Sequence, residues 1–274
     1  FDERDPYSRA MPAGASLPWP TAPRIAIPAT LEFFGDTQAA AVFDDAVRAL
    51  QAAGAEVAAI DFAPFNELAA LLYQGPWVAE RFAAVQALWQ ESPEAINPVV
   101  RGIVEQAANY SALDAFKAEY RRAELTRQIH QTLAGFDALV VPTSPSIYTI
   151  AQLEADPVTL NSRLGVYTNF ANLADLSALA VPAGMRADGL PSGITLIGLA
   201  WQDRALAQFG KLWQAQRGLP LGATGLPLPA GVAASQAPAD TVRVAVVGAH
   251  LTGMPLNHCL LYTSDAADDT PCVD

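Results

Sequence analysis

Cysteine is nearly missing from this 274-residue chain: residues 1–258 hold none, and Cys259 and Cys272 both stand within the last 16 positions. That excludes a disulfide framework or a thiolate metal set over most of the chain, and the usage fits the cytoplasm. Histidine is as scarce, and His130, His250 and His258 fall in no metal-ligand spacing. Lysine is scarcer still, at Lys117 and Lys211 only. With 16 basic against 28 acidic residues the net charge is −12. No basic stripe is available for phosphates, so nucleic acid is excluded as a partner. No apolar run approaches the roughly 20 residues that span a bilayer, which excludes a membrane helix. The opening Phe1-Asp-Glu-Arg-Asp-Pro-Tyr-Ser-Arg9 is neither an initiator methionine nor a signal peptide, and it reads as the middle of a longer chain. With 51% hydrophobic and 16% charged residues, the rest reads as globular.

The tail reads as foreign to the protein. Cys259-Leu-Leu-Tyr-Thr-Ser-Asp-Ala-Ala-Asp268 matches the translation of a transposon-end adapter used in sequencing libraries. The expectation is that the natural sequence stops near His258 and that residues 259–274 are an assembly artefact, to be set aside in fold reasoning. Leaving out Asp265, Asp268, Asp269 and Asp274 brings the charge to −8, still acidic.

The body reads as α/β. Arg24-Ile-Ala-Ile-Pro28 and Glu56-Val-Ala-Ala-Ile60 are apolar runs of strand length. Between them, residues 37–53 repeat apolar positions at helical spacing, and Gly54 stands where a helix C′ residue belongs. Strand, helix, strand in so short a span is a βαβ unit and predicts parallel pairing. Residues 64–134 read as mostly helical. Gly75-Pro76 divides one helix from the next, and Ser111-Ala-Leu-Asp114 is a capping-box variant opening a long helix to about Leu133. Strands are expected at 137–141, 178–181 and 193–197, with an Asp188-Gly-Leu-Pro191 turn between the last two, and a helix over 203–217. Residues 218–241, rich in Gly, Pro and Ala, read as a linker. Val242-Arg-Val-Ala-Val-Val247 starts another strand and a new domain. No internal repeat is visible.

Catalytic motifs are mostly missing. There is no G-x-S-x-G elbow, no P-loop and no G-x-G-x-x-G, so no nucleotide cofactor is expected. Ser144 and Ser146, in Pro142-Thr-Ser-Pro-Ser146, follow a strand and invite a nucleophile assignment, but a nucleophilic serine needs a base within reach and no sequence neighbour supplies one. A Pro-containing turn after a strand explains the segment equally well. Arg81 is the better site candidate. In Leu72-Tyr-Gln-Gly-Pro-Trp-Val-Ala-Glu-Arg81 the Gly-Pro break puts Tyr73 at one helix end and Arg81 two turns into the next. The pair can enter one cleft, where the Arg fork suits a carboxylate and Tyr adds a hydroxyl donor. The alternative is an Arg81 paired with Glu80 or lying on a helix surface.

Thr168-Asn-Phe-Ala-Asn-Leu-Ala-Asp-Leu-Ser-Ala-Leu-Ala-Val-Pro-Ala-Gly184 followed by Gly189-Leu-Pro-Ser-Gly-Ile-Thr-Leu-Ile-Gly198 resembles the C-terminal part of the amidase-signature family, whose pattern is a Thr/Asn-rich helix, a Leu-Pro-Ala-type strand, a Gly-Leu-Pro turn and a strand ending in Ile-Gly. Asp5-Pro-Tyr-Ser-Arg9, Tyr73–Arg81, Pro145-Ser-Ile-Tyr-Thr149, Glu154-Ala-Asp-Pro157 and Leu160–Asn169 resemble the allophanate hydrolases within it, as does Val246-Val-Gly-Ala-His-Leu-Thr-Gly-Met-Pro-Leu-Asn-His258. The resemblance implies a mixed sheet flanked by helices. Residues 1–217 would be the C-terminal portion of the amidase domain, and 242–258 the opening of a further domain. It implies amide hydrolysis by a Ser–cis-Ser–Lys set, ending in ammonia and carbon dioxide. All three of those residues would lie in an N-terminal half not represented here, so no catalytic residue is assigned and the chain alone is expected to be inactive. It also implies that Tyr73 and Arg81 hold the carboxylate of allophanate (urea-1-carboxylate), that a biotin-dependent urea carboxylase acts upstream, and that the protein is a cytoplasmic homodimer. Two other readings stay open: another amidase-signature amidase or amidotransferase, and a non-catalytic anion-binding protein.

Overall fold

The computed structural model describes residues 2–15 and 17–227. The expected strand at 242–247, the domain opening at 242–258 and the tail from 259 lie outside the described residues.

Five strands form one mixed sheet: β1 (Arg24–Pro28), β2 (Glu56–Ile60), β3 (Ala138–Pro142), β4 (Leu176–Met185) and β5 (Pro191–Leu199), in the order β2-β1-β3-β5-β4. β1 pairs parallel with β2, in register Ile25 with Val57, and with β3, in register Ile25 with Ala138. β5 runs antiparallel to both β3 and β4. The βαβ expectation is met, and β4–β5 is a longer hairpin than the sequence suggested. Its turn places Gly189 at φ +83°, with Arg186 N–H donating to Leu190 O at 2.8 Å.

Among the described residues eight α-helices accompany the sheet: α1 (Thr37–Ala52), α2 (Ala63–Gln74), α3 (Trp77–Glu91), α4 (Pro98–Val104), α5 (Ala112–Leu133), α6 (Ile150–Ala155), α7 (Pro157–Leu164) and α8 (Asp203–Arg217). Helix α1 shows why the sequence folds so. The Asp36 carboxylate accepts Ala39 N–H at 2.9 Å, capping the start. Ala39, Phe43, Ala46 and Leu50, spaced three and four apart, form its buried stripe. At its end Gly54, at φ +95°, donates to Gln51 O and Ala55 donates to Leu50 O, both at 3.0 Å. This is the Schellman pattern, which needs a left-handed residue and hence glycine. The capping box at α5 is present in both directions between Ser111 and Asp114.

The core is split by the sheet. Ala138 and Val140 of β3 face one way, with Ile194 and Leu196 of β5, and meet Phe43, Ala46 and Leu50 of α1 and Leu206, Phe209 and Trp213 of α8. Leu139, Val141 and Ile197 face the other way and meet Phe65 and Leu68 of α2 and Leu125, Ile129 and Leu133 of α5. β3 is buried along its whole length, as a strand covered on both faces must be. Gly210 lets α8 approach closely, since a Cβ there would stand 2.9 Å from Leu179 Cδ2. Trp213 Nε1 and Arg217 Nε donate to Pro182 O and Ala183 O of β4 at 2.7 and 3.0 Å.

One expectation fails. Thr168–Asp175, the Thr/Asn-rich segment, is a succession of turns rather than a helix. Its backbone bonds alternate between three- and four-residue steps (Ala171 N–H to Thr168 O, Ala174 N–H to Phe170 O), and Asp175 closes it at φ +55°. Phe170 takes the conformation that delivers its ring edge-on against the stacked Phe62 and Phe65 pair, with centroids 5.7 and 5.0 Å apart, so tertiary packing decides this stretch.

Candidate active site

The structure brings Tyr73 and Arg81 together. α2 stops at Gln74, Gly75 breaks the backbone, and Pro76 opens α3. Arg81 is the fifth residue of α3, about a turn nearer its start than the spacing suggested. Its guanidinium lies over the Tyr73 ring, 4.6 Å from the centroid. The flanking Leu71, Leu72 and Trp77 pack onto the α2–α5 core, so both helix ends are anchored while Tyr73 stays exposed and Arg81 half-buried. Among the described residues no carboxylate lies within ion-pair distance of Arg81, Glu80 included, and its fork is unspent.

Ser144 and Ser146 are placed differently. They line a cavity of about 390 Å³ beyond the end of β3, with Thr143, Pro182, Ser192 and Gly193. Ser144 Oγ donates to Ser146 O at 2.8 Å, and no base is bonded to it. Ser146 Oγ donates to Asp36 Oδ2 at 3.1 Å, and that same oxygen accepts Arg186 Nη1 at 2.6 Å. Burial pushes the Asp36 carboxyl up, but the Arg186 hydrogen bond, the Ala39 N–H, the Arg186 charge and the Ser146 hydroxyl together hold it below its ordinary value. A carboxylate so held is a poor base, and the serine it binds is not activated. The cluster is a buried structural corner: Arg186 and Asp36 side chains are 7% and 10% exposed, and Asp188 takes the other side of the guanidinium at 2.9 Å.

Lys117 and Lys211 are exposed, on α5 and α8, helices on opposite faces of the sheet. Neither meets a serine in a way that would assemble a Ser–Ser–Lys set. His130 Nε2 sits 2.6 Å from Ala174 O, a backbone tie between α5 and the turns before β4. Among the described residues no cluster of His, Cys, Asp and Glu fits a metal ion. No helix among them is long and apolar enough to cross a membrane.

A second arginine of the Arg81 kind was not anticipated. Arg163 of α7 lies over Phe34, 4.7 Å from the ring centroid, half-buried and with no carboxylate within ion-pair distance among the described residues. Phe34 and Arg163 are more than a hundred positions apart, and nothing in the local sequence of either signals the other.

A five-stranded mixed sheet flanked by helices on both faces is an α/β fold. A sequence model of the amidase family matches residues 3–207, and the chain belongs to that family. It is 41% identical over 267 residues to the urea amidolyase of Saccharomyces cerevisiae, covering 93% of this chain and 14% of that protein. It superposes on the allophanate hydrolase of Kluyveromyces lactis with a TM-score of 0.77 at 38% identity, covering 93% of this chain and 44% of that one. On the crystal structure of the K. lactis urea amidolyase the TM-score is 0.80, again at 38% identity, covering 94% of this chain and 16% of that one. The chain thus spans less than half the length of each of these relatives.

Proposed function

We propose that this chain is the substrate-gripping portion of an amide hydrolase acting on allophanate in urea degradation. The observation that carries the reading is Arg81: a guanidinium seated on an aromatic ring, on anchored helix ends, with no acid partner among the described residues. Leaving an arginine unpaired in an acidic protein costs interaction energy, and a planar carboxylate is the ligand its fork matches. Tyr73 supplies the seat and a hydroxyl. Allophanate is a small monocarboxylate with a terminal amide. Gripping it by the carboxylate leaves the amide free for attack.

The nucleophile is assigned outside this sequence. The chain has no adjacent serine pair, Ser144 and Ser146 are held by structural bonds, and its two lysines are solvent-facing. A Ser–cis-Ser–Lys set supplied by the rest of the parent protein would attack the terminal carbonyl, with backbone amides receiving the oxyanion. Residues 1–217 are read as the C-terminal portion of the amidase domain and 242–258 as the start of the next. The reaction needs no cofactor. A urea carboxylase is the upstream partner, and the parent is read as a cytoplasmic homodimer.

The test is Arg81→Met in the intact parent protein, followed by steady-state ammonia release from allophanate. A charge-assisted hydrogen bond contributes about 1.5–3 kcal/mol, so the KM should rise at least about tenfold. The thermal midpoint should hold, because Arg81 has no ion pair to lose. Unchanged kinetics would remove Arg81 from the site and the reading with it.

A further inference from the structure

The terminal-amide hydrolysis proposed above has a consequence for charge. Water adds to the carbonyl, the C–N bond breaks, ammonia leaves, and the carbonyl carbon becomes a second carboxylic acid that gives its proton to the ammonia. One monocarboxylate therefore becomes a dicarboxylate, with two anionic groups flanking a single nitrogen. A site that grips one carboxylate with Arg81 holds nothing for the second.

Among the described residues a second ring-seated arginine has no acid partner. Arg163 repeats the Arg81 arrangement: a half-buried guanidinium on an aromatic face, with no carboxylate in range among the described residues. Its seat is built with care. Phe34 takes φ +52°, a left-handed backbone that a bulky side chain rarely adopts and that costs energy to hold. The chain just before it is pinned from the same segment that carries Arg163. Glu32 N–H donates to the Tyr167 hydroxyl at 2.5 Å, and that hydroxyl lies 3.1 Å from Glu32 O. Strain maintained by specific bonds marks a position fixed for a purpose. The location is also suitable. Leu31 and Val166, beside Phe34 and Arg163, pack on the same apolar cluster as Leu72 and Trp77, which flank Tyr73 and Arg81. The ring contact of Phe62 with Tyr167, at 5.8 Å, ties the residue before α2 to the Arg163 segment. The segments that carry the two arginine–aromatic pairs therefore contribute to one cluster.

We infer that Arg163 on Phe34 is a second carboxylate subsite, which takes the carboxylate newly formed from the amide and so discriminates the dicarboxylate product from the monocarboxylate substrate. This rests on the function proposed above, and the experiment separates the two. Malonate is isosteric with the product and malonamate with the substrate, each with a methylene in place of the nitrogen; malonate is inert, malonamate keeps a cleavable amide, and both are titrated as competitive inhibitors of the initial rate of carbon dioxide release from allophanate by the intact parent enzyme. Arg163→Met should raise the inhibition constant of malonate at least about tenfold more than that of malonamate, the loss of one charge-assisted contact. Arg81→Met should weaken both alike. If Arg163→Met weakens the two equally, or neither, Arg163 only holds the Phe34 turn and the subsite is refuted. If Arg81→Met changes neither, the allophanate reading itself fails, whatever Arg163 does. Should Arg163→Met not fold, Arg163→Lys, which keeps the charge but not the fork, is read by the same ratio.

Discussion

Arg186 and Arg81 are two arginines of one chain treated in opposite ways. Arg186 sits beyond the end of β4 with its guanidinium divided between Asp36 and Asp188, its side chain 7% exposed. Arg81 sits near the start of α3, half-buried, resting on a ring and bonded to no acid among the described residues. The first is fully employed by the fold. Its removal strands a buried anion, and although Arg186 lines the Ser144–Ser146 cavity its donors are already taken. The second contributes little to folding and, on the function proposed above, keeps its donors for a ligand. On that reading, an aromatic seat with no acid partner among the described residues separates a binding arginine from a structural one, and Arg163 falls on Arg81's side of that line.

The sharpest way to break this comparison is Arg186→Met. Taking away one partner of a buried pair costs about 3–5 kcal/mol, because the remaining carboxylate is left without compensation. Denaturant unfolding of the intact parent should show a loss of that order, while the protein that remains folded should keep its KM for allophanate. Arg81→Met should do the reverse. A parent in which Arg186→Met raised the KM at unchanged stability would place the Asp36 corner in the site and erase the distinction.

The pH dependence of stability offers a smaller effect on the same corner. Against the upward pull of burial, Arg186, Ala39 N–H and Ser146 hold the Asp36 carboxyl below its ordinary value of 3.8 in the folded state. A carboxyl with a depressed folded pKa contributes stability that is complete above the unfolded value and is lost as pH falls through the folded one. Asp36→Asn keeps the cap on α1 but not the charge. The stability gap between the parent and this variant should therefore be flat above about pH 5 and should narrow as pH falls below the ordinary carboxylate range. A gap that stayed constant down to strongly acid pH would show that Asp36 is not held ionised by Arg186.

Much of this architecture was legible because its signals are local. The Gly54 stop, the Ser111 capping box, the Gly75-Pro76 break and the strand lengths each depend on a few neighbouring residues, and the structure places each within a residue or two of where the sequence puts it, apart from the longer β4–β5 hairpin. The Tyr73–Arg81 pairing was readable for the same reason, since one helix break brings both residues together. The Asp36–Arg186 bond joins positions 150 apart in sequence. Nothing in the local sequence of either residue signals the other, and only the fold brings the start of α1 to the end of β4. Arg163 and Phe34 were hidden likewise. The turns over Thr168–Asp175 were misread because Phe170 is held by Phe62 and Phe65, and local composition carries no record of that contact.

The smallest expected effect comes from an arginine that looks nearly as well bonded as Arg186. Arg121 of α5 meets Glu67 of α2 through two parallel hydrogen bonds, at 2.6 and 2.7 Å, and Glu124 through a third at 2.8 Å. By a count of bonds it should matter as much as Arg186. Yet its side chain is 40% exposed and those of its partners 48% and 63%, so water and salt screen the attraction, and either acid is solvated again once the arginine is gone. Arg121→Ala should leave the unfolding midpoint of the parent essentially where it was, and raising the salt concentration should change the native protein and the variant alike. A large loss of stability would mean that bond count, and not desolvation of the partner left behind, ranks the arginines of this fold, and the contrast between Arg186 and Arg81 would then need a different cause.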